Sequence, residues 1–525
     1  MVQRGSRPYA TRRQFFRWAA AVAGAATATS LLQACAPAAA PTPTPAPQPA
    51  APAPTPTTPP KPAEQPTPTS APKPAAPTPT TAVKVTPVAE VAGIVAPKAA
   101  RGELADQTIV VAISSGPEAD AHTRLASKFT EYTKGKVKVR IEELPRGTAG
   151  RAKVLATLQG KSDSWDVVNF TTFDVIPFVK AGFFVPLKKF QANPDLFNAK
   201  AFDADDWPKG LLAVHNVDGD QYAYPQEAST LMFFYRKDLL KKYGVPEPGK
   251  NGYSWSELLK HCLTLKDKLA ADGKTDVFPL LFGVKPTGHA AINAFQPIWS
   301  YGQELFDDKW NPQFASEKAV AALTMMTDFL FKHKVVSEGV VGYEYPEVLT
   351  GFQQGKAVLA LQWNAAAPTV LDASKSPETA ANTGFTVYPY EEKAGPEQAR
   401  IYPSVWGQGV SAFSKKQEAA FEYITWFTSK EVAQDYVSKG GGSSGRASLL
   451  SDKSIVDKNP QYPAMLEGFK VYHSLPPLAE MSYIYNSIVN PEVGGIWSKQ
   501  YTVKDGLKRV DDQIKQYLKD QGVIK

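Results

Sequence analysis

The chain has 525 residues, of which 43% are hydrophobic, and a formal net charge of +7 at pH 7. Five arginines and no acidic residue lie in the first 34 residues, so the rest of the chain has a net charge of 7 − 5 = +2. A charge this small gives no support to electrostatic binding of nucleic acid. With only two cysteines, an internal disulfide framework and a cysteine-rich metal site are also excluded.

The N-terminal segment predicts export. Residues 11–35, TRRQFFRWAAAVAGAATATSLLQAC, carry charge first and then about 17 weakly apolar residues, fewer than the roughly 20 that a membrane span needs. Arg12 and Arg13, followed closely by two phenylalanines, resemble a twin-arginine signal, with an ordinary secretory signal as the alternative. Residues 32–35, Leu-Gln-Ala-Cys, resemble a bacterial lipobox, in which Cys35 would be acylated and become the new N-terminus. We therefore expect a signal peptide over residues 1–34 and a lipid anchor at Cys35.

A proline-rich segment follows the cysteine. Residues 36–100 hold 20 of the 45 prolines and no aromatic residue, so they cannot build a hydrophobic core. Such a chain favours extended polyproline II at about 3.1 Å per residue and reaches at most about 200 Å. The sequence predicts a disordered tether over residues 35–103.

Strands and helices alternate after residue 104. The predicted elements, in chain order, are a strand (ADQTIVVAIS), a helix (EADAHTRLASKFTEYTKG), a strand (KVKVRIEEL), a helix (GRAKVLATLQGKSD) and a strand (SWDVVNF). This alternation predicts an α/β fold with a parallel, doubly wound sheet, whose ligands lie beyond the carboxyl ends of the strands. Those ends are residues 114–116, 144–146 and 171–174. Roughly 420 residues are too many for one compact core, which suggests two lobes.

An ordered series of segments resembles the family 1 extracellular solute-binding proteins, which are sugar-capturing, maltose-binding-protein-like lipoproteins of ABC importers. The resemblance covers nearly all of residues 106–450 and extends more weakly to 525. It implies a two-lobed periplasmic-binding-protein (type II) fold, with a mostly parallel sheet flanked by helices in each lobe and three hinge crossovers. It also implies ABC permease subunits as partners and a monomer. The segments are WDVVNFTTFDVIPFVKAGFFVPL, YAYPQEASTLMFFYRKDLLKKYGVPEP, FQQGKAVLALQWNAA and WGQGVSAFSKKQEAAFEYITWFTSKEVAQDYVSKGG.

Segment matching to this family also implies where the chain crosses between lobes. The crossovers fall near residues 226–230, 388–390 and 443–448. Lobe 1 would then comprise residues 104–226 and 389–446, and lobe 2 residues 227–388 and 447–525. The glycine-rich run at residues 440–445 independently suits a hinge, because glycine absorbs large dihedral changes; a plain surface turn is the alternative.

A sugar site needs aromatic faces for the apolar side of the ring and polar groups for its hydroxyls. Each candidate could instead be a core residue or a solvated surface residue. Ser229 stands where some maltose-type relatives carry an acidic residue, so a peptide, a polyamine or another solute stays open as the ligand. The aromatic candidates are Trp363, Trp406, Trp299, Tyr301 and Tyr483, the last with Tyr485 beside it, and the polar candidates are Asp174, Ser229, Asn364, Glu227, Arg146 and, more weakly, Glu344.

No motif in the sequence predicts catalysis, a metal or a cofactor. Residues 441–445 fit G-x-S-x-G, but a helix is expected before them where a nucleophile elbow needs a strand. The six histidines form no H-E-x-x-H, and Asp203, Asp205 and Asp206 lack the glycine and the terminal glutamate of an EF-hand. Cys262 is expected to be a small core residue. We therefore predict a non-catalytic receptor, with a surface-anchored carbohydrate hydrolase as the alternative.

Overall fold

The computed structural model describes residues 96–525, apart from 146–147, 403 and 474. The predicted signal peptide, Cys35, most of the proline-rich segment and Arg146 lie outside the described residues. The described residues, 96–525, belong to one compact unit. Within the described ranges, no helix has both the length and the apolar character needed to cross a bilayer.

Eleven strands occur in the described part of the chain, nine of them in two sheets. The two remaining strands, β4 and β5, pair as a small hairpin. The strands are β1 (Gln107–Ser114), β2 (Val137–Leu144), β3 (Val167–Thr171), β4 (Asn216–Val217), β5 (Asp220–Gln221), β6 (Tyr224–Ser229), β7 (Leu231–Arg236), β8 (Phe278–Leu281), β9 (Ala357–Trp363), β10 (Thr383–Val387) and β11 (Ser404–Val410).

Each sheet has one strand that runs against the others. The first sheet has the order β2-β1-β3-β11-β6, in which only β11 is antiparallel to its neighbours. The second sheet has the order β10-β7-β9-β8, in which only β7 is reversed. The mostly parallel sheet that the family resemblance implies for each lobe is thus confirmed, and each sheet forms the centre of one lobe.

The α-helices surround these sheets, some packing on the strands and others on neighbouring helices. In chain order they are α1 (Lys98–Arg101), α2 (Pro117–Tyr132), α3 (Thr148–Gln159), α4 (Thr172–Lys180), α5 (Lys188–Gln191), α6 (Ala199–Phe202), α7 (Lys209–Ala213), α8 (Lys237–Tyr243), α9 (Trp255–Ala271), α10 (His289–Ser300), α11 (Glu317–Phe331), α12 (Tyr345–Gln353), α13 (Ala367–Val370), α14 (Gln417–Phe427), α15 (Lys430–Ser438), α16 (Ala447–Ser451), α17 (Lys453–Val456), α18 (Tyr462–Lys470), α19 (Met481–Tyr483), α20 (Asn490–Trp497) and α21 (Val503–Asp520). A π-helical turn, Ile484–Val489, joins α19 to α20.

Local sequence explains the elements that frame the site. β1 is buried from Ile109 to Ile113, as expected for a strand covered by helices on both faces. Leu125 and Phe129 form the buried stripe of α2, and Pro117 starts that helix where its missing N–H costs nothing. Cys262 is fully buried in α9, which confirms the expected core position.

Three stretches of chain meet where the lobes join. The N–H of Thr230, between β6 and β7, donates to Oδ1 of Asn364 at 2.8 Å, and the Nδ2 of Asn364 donates to Oγ of Ser443 at 2.9 Å. The N–H of Ala228 donates to the carbonyl of Ser443 at 3.0 Å. These bonds tie together the ends of β6 and β9 and the glycine-rich run, so Asn364 holds the joint between the lobes.

Candidate ligand site between the lobes

A small cavity lies at the carboxyl edge of the first sheet. It is lined by Ile113, Ser114, Glu118, Asn169, Gln226, Glu227 and Trp406. These residues come from the ends of β1 and β6, from β3 and β11, and from the start of α2. In this conformation the side chains leave room for about one water molecule. The position agrees with the rule that ligands bind beyond the carboxyl ends of parallel strands.

A buried chain of amides supports the floor of this cavity. Asn169 Nδ2 donates to Gln226 Oε1 at 3.1 Å, and Gln408 Nε2 donates to the same oxygen at 2.7 Å. Gln408 Nε2 also lies 3.0 Å from Nε2 of His122, whose Nδ1 lies 2.7 Å from the hydroxyl of Tyr423. Because these side chains hold one another, Asn169 and Gln226 present polar groups to the cavity in fixed orientations.

His122 in this network is neutral. Its side chain is fully buried and stacks on Phe427 with 3.8 Å between ring centroids. Burial disfavours the imidazolium and lowers the pKa of His122 to about 3. A neutral ring accepts the amide hydrogen of Gln408 at Nε2, which leaves the proton on Nδ1 facing Tyr423.

Glu227 and Asp174, two of the three predicted carboxylates, have different surroundings. Glu227 lines the cavity and accepts a hydrogen bond from Ser229 Oγ at 3.2 Å, which places Ser229 next to the cavity. Asp174 is buried, accepts from Arg151 Nε at 2.6 Å and from Thr171 Oγ1 at 3.1 Å, and so forms an ion pair within the first lobe. Of these two carboxylates, the structure brings only Glu227 to the cavity wall.

The predicted aromatic residues separate into two groups. Trp406 is half-buried and lines the cavity, and half-buried Trp363 meets Tyr402 edge-on at 6.2 Å on the second lobe. Trp299 is fully buried, as a core residue would be. Half-buried Tyr301 follows α10 and packs against the core, where burial and then the charge of Glu391 raise its pKa.

Two neighbouring tyrosines near the C-terminus have different environments. Tyr483 is half-buried and stacks on Tyr517 with 4.3 Å between ring centroids. Tyr485, in the π-helical turn, lies 4.6 Å from the ring of Phe173, which belongs to the first lobe.

Two polar candidates remain among the described residues. Asn364 is buried in the joint between the lobes. Glu344 is half-buried, precedes α12 and accepts a hydrogen bond from the hydroxyl of Thr287, outside the cavity.

Sequence reasoning missed several residues that shape this region. Asn169 and Gln226 sit inside strands and have no aromatic or charged character that would mark them. Ser114 and Phe173 lie at the strand ends where ligands were expected, so the carboxyl-end rule could have selected them. Tyr402 lies just before β11, and nothing in its local sequence distinguishes it from a core tyrosine.

The comparisons with known proteins agree with this architecture. Residues 115–434 match the family model described as bacterial extracellular solute-binding protein. The chain belongs to this family. The match confirms the resemblance that the sequence segments of this solute-binding protein indicated. Its matched family consists of binding proteins rather than enzymes, and the hydrolase alternative has no support among its relatives.

Two curated relatives illustrate the range of the family. A probable amino-acid ABC transporter periplasmic-binding protein of Sinorhizobium fredii is 24% identical over 80% of this chain and 91% of its own length. A mannitol-binding protein of Pseudomonas aeruginosa is 22% identical over 66% of this chain and 76% of its own.

Solved structures show the same fold. Maltose-bound MalE3 of T. maritima superposes with a TM-score of 0.66 at 22% identity, covering 78% of this chain and 100% of its own. A solute-binding protein of Agrobacterium vitis with bound D-mannitol gives 0.64 at 23% identity, covering 79% and 99%. At this level of identity the likeness establishes the two-lobed fold.

Proposed function

We propose that this protein captures a small sugar or polyol between its lobes and delivers it to an ABC importer. The observation that carries the proposal is the cavity in which Trp406 stands beside the polar groups of Asn169, Gln226 and Glu227. An indole face covers the C–H surface of a sugar, while amides and a carboxylate bind its hydroxyls. The names of the mannitol-binding relative and of the maltose- and mannitol-bound structures support the same ligand class.

The proposed site takes groups from both lobes. Trp406, Glu227, Asn169 and Gln226 form the first-lobe side, with Ser229 acting through its bond to Glu227. Trp363 forms part of the second-lobe side. Trp299 is left out because no part of its side chain reaches the surface. The solute would shift the protein from the open to the closed state because it binds the closed state more tightly, and no chemical step is involved.

The lobe limits that we propose follow the predicted ranges with two changes. Tyr388 OH donates to Asn293 Oδ1 at 2.9 Å, and the N–H of Tyr402 donates to Gln296 Oε1 at 3.2 Å, both within the second lobe. We therefore propose the second crossover after Tyr402 and before β11. We propose the first crossover at Thr230, after β6, which assigns residues 227–229 to the first lobe. The third stays near residues 443–448.

Anchoring outside the cell completes the proposal. A signal of the twin-arginine type would export the chain, and lipid on Cys35 would hold it at the outer face of the membrane through the proline-rich tether. The receptor would act as a monomer that presents its closed form to the permease subunits. The support for this part is the sequence of residues 1–100.

Isothermal titration calorimetry with D-mannitol, ribitol, maltose, an L-amino-acid mixture and spermidine tests the ligand class. We expect saturable one-to-one binding of a sugar or polyol without any product, and a loss of binding of about 1–3 kcal/mol in Trp406→Ala. Trp310→Ala is the matched control, because Trp310 is also half-buried but lies outside the cavity. Binding of only the amino acids or spermidine would reject the sugar proposal, and turnover of any sugar would reject the receptor.

A further inference from the structure

Gln226 occupies a β-bulge beside the cavity. Along the pairing of β11 with β6, Trp406 opposes Glu227 and Gly407 opposes Pro225, so Gln226 is the extra residue of the bulge. A β-bulge re-aims a side chain and is common next to functional sites. The bulge brings this amide into the buried network described above, which consists of Asn169, Gln226, Gln408, His122 and Tyr423.

The backbone carbonyl of Gly407 sets the direction of this network. A carbonyl oxygen can only accept, so Asn169 turns its Nδ2 towards the Gly407 oxygen, at 3.2 Å. The same Nδ2 donates to Gln226 Oε1 at 3.1 Å, and Gln408 Nε2 donates to that oxygen at 2.7 Å. If the Gln226 amide were turned over, its Nε2 would face these two donors. Gly407 therefore fixes Asn169, and the two donors together fix Gln226.

Gln408 keeps its orientation although this destabilises the fold. Its side chain is fully buried, and within the described part of the chain its Oε1 has no hydrogen-bond partner. Turning the amide over would bring that oxygen against Gln226 Oε1, which can only accept. A buried oxygen without a partner is unfavourable and calls for an explanation. The hydrogen bond from Gln408 to Gln226 supplies that explanation.

The network leaves one polar atom on each of two cavity residues for the solute. Asn169 and Gln226 both line the cavity, and within the network the first uses its Nδ2 and the second its Oε1. The atoms left over, called the amide pair below, are Asn169 Oδ1, which accepts, and Gln226 Nε2, which donates. A hydroxyl group donates and accepts through one oxygen, so it can bind both atoms. A carboxylate lacks the donor, and an ammonium group lacks the acceptor.

We propose that Gln408 is a positioning residue: by donating to Gln226, it holds the amide pair in the orientation that binds a hydroxyl group of the solute. This inference rests on the function proposed above. All five members of the network lie on β3, β6 and β11 of the first sheet or on α2 and α14 beside it. Separating the lobes to admit a solute therefore leaves the orientation of the amide pair unchanged.

The direction of the network is tested without ligand by the ring nitrogens of His122. Because Gln408 Nε2 lies 3.0 Å from His122 Nε2 and donates to it, the proton of the neutral ring is on Nδ1. We expect nitrogen NMR spectra of the full-length Cys35→Ser protein, labelled at its histidines, to show this tautomer at pH 7, with His122→Gln assigning the signals. The Nε2 signal should move in Gln408→Met, which removes the donor. A proton on Nε2 in the parent, or an unmoved Nε2 signal in the variant, would overturn the proposal.

The positioning role is tested by calorimetry with D-mannitol on the parent, Gln408→Met, Gln226→Met and the double variant. We expect Gln408→Met to weaken binding at least about fivefold in the parent but less than about twofold when combined with Gln226→Met, because it acts through Gln226. Equal losses in both backgrounds, or no loss in the parent, would refute this role. Gln461→Met is the matched control and should bind as the parent does, since Gln461 is a buried glutamine outside the cavity and the network.

The donor of the amide pair is tested by Gln226→Glu. This variant keeps an acceptor for Asn169 and Gln408 but replaces the donor Nε2 by an oxygen, so one hydroxyl hydrogen of the solute faces two acceptors. D-Mannitol should bind at least about tenfold more weakly, and unchanged or tighter binding would refute the amide pair. If the parent binds no sugar or polyol, the proposed function fails, whereas the tautomer of His122 still decides whether Gln408 orients the network.

Discussion

Glu422 provides a quantitative test of how the first lobe is held together. This glutamate lies in α14, is 1% exposed, and accepts a hydrogen bond from the N–H of Ala99 in α1 at 3.4 Å. Burial raises its pKa from 4.5 to about 8. The Ala99 N–H, Arg101 and Lys98 act in the opposite sense, and the charge of Glu418 adds to the rise. The folded protein therefore holds this proton at neutral pH, whereas the unfolded chain releases it.

The sign of the pH dependence follows from this difference. Between pH 4.5 and 8 the folded state binds more protons than the unfolded state, so the stability contributed by protonated Glu422 is complete below pH 4.5 and is lost as the pH rises through 8. Each pH unit in this window removes up to about 1.4 kcal/mol from the free energy of unfolding. Glu422→Gln keeps an acceptor for Ala99 but cannot ionise. Relative to wild type, we expect its advantage in stability to grow by about 2–4 kcal/mol between pH 5 and pH 8.

The measurement is urea unfolding followed by tryptophan fluorescence at pH 5, 6, 7 and 8. Glu418→Gln is the matched control, since Glu418 is an exposed glutamate on the same helix and forms only a 3.8 Å ion pair with Lys98. Its curve should run parallel to that of wild type. The reasoning is refuted if the difference between Glu422→Gln and wild type does not change with pH.

Three further outcomes are expected. Trp363→Ala should weaken sugar or polyol binding by about 1–3 kcal/mol in calorimetry. Unchanged binding together with a loss of about 3–5 kcal/mol in the free energy of unfolding would instead show that Trp363 is a core residue. Cys35→Ser should move the protein from the membrane to the soluble fraction; retention in the membrane pellet would argue against a lipid anchor. Arg446→Met should lower the free energy of unfolding by about 3–5 kcal/mol in urea denaturation. The buried guanidinium of Arg446 donates to three backbone carbonyls and to Asp206, and the variant leaves these acceptors without that donor. A loss below about 1 kcal/mol would contradict that role.

The early strands and helices could be predicted from periodicity alone. β1, β2 and β3 with the helices between them coincide with the alternating pattern, because each element carries its buried face in its own residues. The rule for carboxyl ends points to the edge of the sheet at which Ser114 lines the cavity and Phe173 meets Tyr485. These are local properties, and a single sequence contains them.

The roles of individual candidates were not predictable in the same way. Asp174 and Asn364 have suitable side chains for a ligand, but Arg151 binds the first within the lobe and Ser443, 79 residues away, binds the second in the joint. Tyr483 and Tyr485 are two positions apart and identical in kind. The π-helical turn aims the second at Phe173, while the first stacks on Tyr517.

The sequence by itself determined the family and the α/β order of elements, and it carries the predictions of an N-terminal export signal and of a solute site at the carboxyl edge of the sheet. These follow from short-range patterns and from an ordered series of segments. Only the tertiary structure decided which aromatic rings face the cleft, which polar groups bond to each other, and which contacts join the lobes. Those outcomes depend on partners far away in the chain, as with Phe173 and Tyr485, and no local pattern specifies such pairs.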